Sequence, residues 1–109
     1  MTGYIQVLTT TETEDDANMI ARTLVEDRLA GCVQVVGPIS STYRWNDGIE
    51  TATEWLCLIK TSSERYAEVE ARIREIHPYE VPEILAVPVV AGSSAYLKWL
   101  DGELARIGE

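Results

Sequence analysis

An α+β sandwich is the fold class this sequence predicts, and three observations predict it. Apolar residues recur with a period of two in some segments and at helical spacing in others, and the two kinds of segment alternate along the chain. The turn residues Asn46, Asp47 and Gly48 separate two long alternating segments, which makes those segments partners in one hairpin. Pro38 and Pro88 fall inside strand-like segments, and a residue without an N–H is tolerated only at sheet edges and bulges. With 109 residues the chain has the size of one ordinary domain, read here as a single unit over residues 1–109.

The first strand is IQVLT, Ile5 to Thr9. Thr13 followed by Asp16 resembles a capping box, the acids Glu14, Asp15 and Asp16 suit a helix N-terminus, and Ala17, Ile20, Ala21, Leu24 and Val25 form an apolar stripe. Gly31 is placed to close that helix. A second strand runs from Cys32 to Trp45, interrupted by Gly37 and Pro38, and a third runs back from Ile49 to Thr61. Each arm holds roughly a dozen residues against the usual five or six, so the hairpin tip overhangs the domain. Ser62 or Ser63 caps a second helix with Tyr66, Val69, Ile73 and Ile76 on one face, and Pro78 forbids its continuation. ILAVPVV, Ile84 to Val90, is a fourth strand, and Gly92, Ser93 and Ser94 introduce a closing helix bearing Tyr96, Leu97, Leu100, Leu104 and Ile107. The order β-α-β-β-α-β is that of the ferredoxin-like split βαβ sandwich, here with an extended hairpin and an added C-terminal helix. Its first and third strands are central, which leaves both proline-bearing strands at the edges. Open edges and an overhanging hairpin carrying Tyr43, Trp45 and Trp55 need a cover, so the chain is expected to self-associate through its edge strands with these aromatics in the interface.

Eighteen acidic side chains oppose nine basic ones, so the molecule repels phosphate backbones and attracts cations; nucleic acid is not an expected partner. No apolar run approaches the roughly 20 residues that span a bilayer, and the first residues lack the pattern of a signal peptide. The expected location is the cytoplasm, away from membranes. Cys32 and Cys57 lie without CxxC spacing, which fits reduced thiols.

The stretch HPYEVPEI, His77 to Ile84, holds the only histidine. Its prolines push His77 and Val81 toward extended geometry, so the segment reads as a stiff strap. Imidazole, carboxylate and thiolate are all donors for copper or a similar divalent cation. With the two helices taken as parallel on one face, the ends carrying Cys32 and His77 meet, and a metal cluster of His77, Cys32 and Glu83 or Glu80, completed across a subunit boundary, is geometrically possible. The plainer reading makes His77 a helix-end cap, Glu80 and Glu83 strap anchors, and both cysteines buried apolar groups. Glu54 and Lys60 share one strand face and suit an interfacial ion-pair network. No organic cofactor is expected. An enzyme with Cys32 as nucleophile and His77 as base would need contact, an orienting group and an oxyanion hole, and no enzymatic activity is expected.

YRWNDGIE in the hairpin, a glutamate followed by LCLIKT, HPYEVPEI, and YLKWL in the last helix together resemble the CutA family of divalent-cation tolerance proteins. The resemblance implies a homotrimer of ferredoxin-like subunits, similar in architecture to the PII signalling proteins, with hairpins wrapping their neighbours. It also implies a link to tolerance of copper and other divalent metals, and signalling to an unidentified protein partner rather than catalysis. By the same likeness a PII-type alternative would place a small ligand, without a physiological metal, in inter-subunit clefts lined by Lys60, Tyr79, Glu80 and Trp99.

Overall fold

A computed structural model describes residues 2–106. The elements are β1 (Tyr4–Thr11), α1 (Glu14–Glu26), β2 (Cys32–Trp45), β3 (Gly48–Ser62), a short 3₁₀ turn (Ser63–Arg65), α2 (Tyr66–Ile76), β4 (Leu85–Pro88) and α3 (Ser94–Leu104). Ile107, expected on the last helix, lies outside the described residues. The sheet order is β2-β3-β1-β4 with every neighbouring pair antiparallel, the ferredoxin-like arrangement with β1 and β3 inside. Pro38 and Pro88 thus sit on edge strands, Pro38 at the irregularity between Val36 and Ile39. No helix among the described residues is long and apolar enough to cross a membrane.

Local chemistry explains the boundaries. The Thr13 hydroxyl accepts from the Asp16 N–H at 3.1 Å, one half of the capping box. The exit of α1 differs from the expectation. The helix closes three residues earlier than a closure at Gly31, through a Schellman motif in which the Leu29 N–H reaches the Leu24 carbonyl at 2.9 Å and the Arg28 N–H the Val25 carbonyl at 3.1 Å. Arg28, not a glycine, takes the left-handed position, with φ 57°. Gly31 serves packing instead, because a Cβ there would overlap the Leu100 side chain of α3. At the hairpin tip Asn46 and Asp47 both have positive φ, and Trp45 pairs with Gly48 across the two-residue turn. Neither Ser62 nor Ser63 caps the second helix with its side chain, whereas Ser93 accepts from the Tyr96 N–H at 3.2 Å. β4 is shorter than expected, although the Val89 N–H still reaches the Tyr4 carbonyl at 3.0 Å. Pro88 supplies no donor to extend the ladder evenly.

The core lies between one sheet face and two helices. Val7, Cys57 and Ile59 of the sheet meet Ala17, Ile20 and Leu24 of α1 and Val69 and Ile73 of α2, all fully buried. Each large aliphatic residue so placed contributes roughly 1.5–3 kcal/mol. α3 closes one end of the sheet with Leu100 and Leu104 buried, and the Arg28 guanidinium donates to the Glu103 carbonyl at 2.9 Å. The opposite sheet face carries, by register, Gln6 and Leu8 of β1, Leu56, Leu58 and Lys60 of β3, Val36 of β2, and Leu85 and Val87 of β4. α1 and α2 do not cover it, and Leu85 is 57% exposed. β1 ends at the Thr11–Trp55 pair, so the hairpin beyond it is paired only within itself and gives the molecule a long axis of 48 Å.

Candidate functional site

Pro78 ends α2 and fixes His77 in an extended conformation, φ −73° and ψ 133°, which swings the ring back under the end of β1. The ring is 7% exposed and both nitrogens are engaged. The Tyr79 backbone N–H donates to Nδ1 at 3.0 Å, so Nδ1 carries a lone pair, and Nε2 must hold the proton it donates to the Thr10 carbonyl at 2.8 Å. His77 is therefore a neutral bridge between β1 and the strap. Burial pulls its pKa below the ordinary value, against the opposing pull of the Thr10 carbonyl, Asp16 and Glu54.

Tyr79 packs on the His77 ring with centroids 4.8 Å apart and donates its hydroxyl to Glu54 Oε2 at 2.8 Å. Burial first and the Glu54 carboxylate second raise the Tyr79 pKa well above the usual range, so its proton stays. Glu54 is 8% exposed and has no ion-pair partner among the described residues. Tyr79 and Glu54 form the floor of a groove of about 750 Å³ between the hairpin and the strap, with Tyr43 and Trp45 on one wall and Glu80 and Glu83 on the other. Its lining has four carboxylates, Glu50, Glu54, Glu80 and Glu83, and no basic residue.

A second polar cluster lies on the uncovered sheet face. Lys60 Nζ donates to Gln6 Oε1 at 2.6 Å and to Gln34 Oε1 at 2.9 Å, and Cys32 stands opposite Lys60 in the β2–β3 register. Tyr96 of α3 reaches Cys32, and burial followed by this contact raises its pKa; Tyr96 in turn packs against Trp99 at 5.5 Å.

These placements divide the expected sites. His77, Cys32 and Glu83 do not form a cluster within one chain, and no three His, Cys, Asp or Glu side chains among the described residues converge on a metal position. The reason is direction. β1 and β3 are antiparallel, so the helices that follow them run in opposite senses, and the parallel helices assumed from the sequence are not found. Cys32 lies at the Gln6 level of the sheet and His77 at the Thr10 level, about 13 Å apart along β1 at 3.3 Å per residue. The same separation leaves Cys32 and His77 without contact. Lys60, Tyr79, Glu80 and Trp99 also split, Tyr79 and Glu80 in the groove, Lys60 and Trp99 at the other end. Glu54 and Lys60 share a face, yet each has its own partner. Tyr43 and Trp45 are exposed on the hairpin, whereas Trp55 is half-buried on the core side, with its indole filling the space a Gly37 side chain would take. Sequence reading missed Gln6, Gln34 and the Thr10 carbonyl as partners. The period of two put Gln6 on a sheet face, but only the strand register sets it beside Lys60.

The family model for the CutA1 divalent ion tolerance protein matches residues 5–103. The divalent-cation tolerance protein CutA of Thermus thermophilus is 43% identical over 94 residues, covering 86% of this chain and 91% of that protein. Human protein CutA is 44% identical over 87 residues, and the match covers 80% of this chain but 49% of the human protein, about half its length. The solved structure of the periplasmic divalent cation tolerance protein CutA of Archaeoglobus fulgidus superposes with a TM-score of 0.91 at 35% identity, covering 94% of this chain and 99% of that one. With the ferredoxin-like sheet, the long hairpin and a family match across nearly the whole sequence, the chain belongs to the CutA1 family of divalent ion tolerance proteins.

Proposed function

We propose that this protein acts as a cytoplasmic homotrimer that takes part in tolerance of copper or a similar divalent cation by binding it weakly and passing a state to a protein partner, without catalysing a reaction. The supporting observation is the uncovered sheet face. Leu8, Leu56, Leu58, Leu85 and Val87 form an apolar surface flanked by two open strand edges, a combination a lone subunit leaves wet. Association of copies would bury it and bring acidic grooves and Cys32 residues from different chains into one assembly.

The donors for a metal are then Cys32 and the exposed carboxylates Glu80 and Glu83, shared between subunits, because one chain gathers no closed set among its described residues. Both His77 nitrogens are engaged within the chain, so His77 is not among the proposed donors. Sedimentation at micromolar concentration tests the assembly, and titration of that assembly with Cu(II), repeated on Cys32→Ala and on the Glu80→Gln, Glu83→Gln double variant, tests the donors. The expected result is a trimer whose copper affinity falls at least about tenfold in one variant. A stable monomer, or unchanged binding in both variants, overturns the reading.

A second reading rests on Lys60. Its ammonium is held between two neutral amides with no carboxylate partner among the described residues, which suits an anionic small ligand in a cleft between subunits, as in a PII-type regulator. A thermal-shift screen of small anions on wild type and Lys60→Gln separates it from the metal reading.

A further inference from the structure

The contacts around His77 make a two-position device. In the neutral ring Nδ1 is an acceptor, and the Tyr79 amide depends on it. A protonated imidazole has no acceptor. Its Nδ1–H would then face the Tyr79 N–H, and the two donors cannot share that space. The same residue also binds the strap through its hydroxyl, which is held by Glu54 at 2.8 Å. Tyr79 thus carries both fastenings, its backbone amide on His77 and its hydroxyl on Glu54, and the first exists only while the ring is neutral.

We propose that His77 is a pH-operated latch: at neutral pH it fastens the Tyr79 end of the strap to β1, and a proton on the ring releases that end and widens the acidic groove beside it. The groups that face the ring decide whether release can happen without unfolding. They are Asp16 from α1, Glu54 from β3, Tyr79 from the strap, and the Thr10 carbonyl from β1. Two of these are carboxylates, so a charged ring is met by opposite charge. Nε2–H keeps the Thr10 carbonyl in both states, and the nearby Asp16 and Glu54 charges attract the protonated ring. The helix side of the ring stays in place while the strap side moves. Desolvation holds the neutral form at neutral pH, so the change belongs on the acid side of the ordinary histidine range. Glu80 and Glu83 ride on the strap, so release shifts the carboxylate wall of the groove.

His77 is the only histidine, so the intact protein has one imidazole signal per chain to follow by NMR. The test compares that titration with hydrogen exchange at the Tyr79 amide between about pH 8 and about pH 5, corrected for intrinsic rate. The expected result is an increase of at least about tenfold in Tyr79 exchange, with the midpoint of the ring titration, while core amides of β1 and β3 stay protected. Glu54→Gln should keep the transition, which assigns it to the ring, and His77→Asn, a non-titrating acceptor at the Nδ1 position, should abolish it. Should His77→Asn fail to fold, coincidence of the two wild-type midpoints, retained in Glu54→Gln, carries the decision. Tyr79 protection that is flat through the ring titration, a ring that titrates only with loss of core protection, or a transition that survives in His77→Asn overturns the latch.

Discussion

Single residues inside the core show how polar groups are settled here. Three threonines turn buried hydroxyls toward the helices. Thr11 donates to the Thr13 carbonyl at 2.7 Å and Thr61 to the Leu29 carbonyl at 2.7 Å, while the Thr9 hydroxyl has no partner among the described residues. Desolvating a hydroxyl without compensation costs about 1–3 kcal/mol, so Thr9→Val, which keeps the shape, should raise stability by about 1 kcal/mol in urea unfolding. A loss of stability would mean that the hydroxyl is satisfied after all. Cys57 is fully buried, its thiol 3.7 Å from the Ala17 carbonyl, and burial pushes its pKa up to about 11. It should resist iodoacetamide at mildly alkaline pH until the chain unfolds, which mass spectrometry of native and urea-treated protein reads directly.

At the scale of elements, the strap and its contacts set the pH behaviour of the fold. His77 is held neutral with a lowered pKa, so the unfolded chain takes the proton first as pH falls. Its contribution to stability is complete above about pH 6.5 and is lost on acidification toward the folded value. Tyr79→Phe removes the hydrogen bond to Glu54 and leaves that carboxylate buried without a donor, with an expected loss of about 1.5–3 kcal/mol in denaturant unfolding. A near-neutral Tyr79→Phe would show water taking the place of the hydroxyl. The elements themselves were legible in the sequence, because apolar period, the Thr13 and Ser93 caps and the Asn46–Asp47 turn are local signals. The relative direction of α1 and α2, and with it the separation of Cys32 from His77, is not legible locally, because direction follows from strand pairing between distant segments. The exit of α1 is hidden for a different reason: a left-handed arginine has no signature, whereas Gly31 offers the usual one.

The whole molecule carries a net charge of −9, with nine basic against eighteen acidic side chains, and yet presents an apolar sheet face. In the proposed assembly charge would keep copies apart and the face would draw them together. Assembly through that face should therefore tighten as salt is raised to about 0.5 M, where exposed charges are screened within a few ångströms. Sedimentation across a salt series checks this, and weakening with salt would place ion pairs, not leucines, at the contact. Leu58→Lys, in the middle of the face, should disperse the assembly at any salt while leaving the helix-side core intact. Alternation puts Glu54 and Lys60 on one face of their strand, but their partners and the apolar residues that share that face required the register. The hairpin beyond Trp55 has one further consequence, for how such a chain can vary. Past Glu54, which holds Tyr79, its strand pairing among the described residues is with itself alone, so matched insertions or deletions of an even number of residues in each distal arm would change its reach and leave every outward and inward side chain where it was. An odd step would turn the distal part of the arm inside out, and Tyr43 and Trp45 with it.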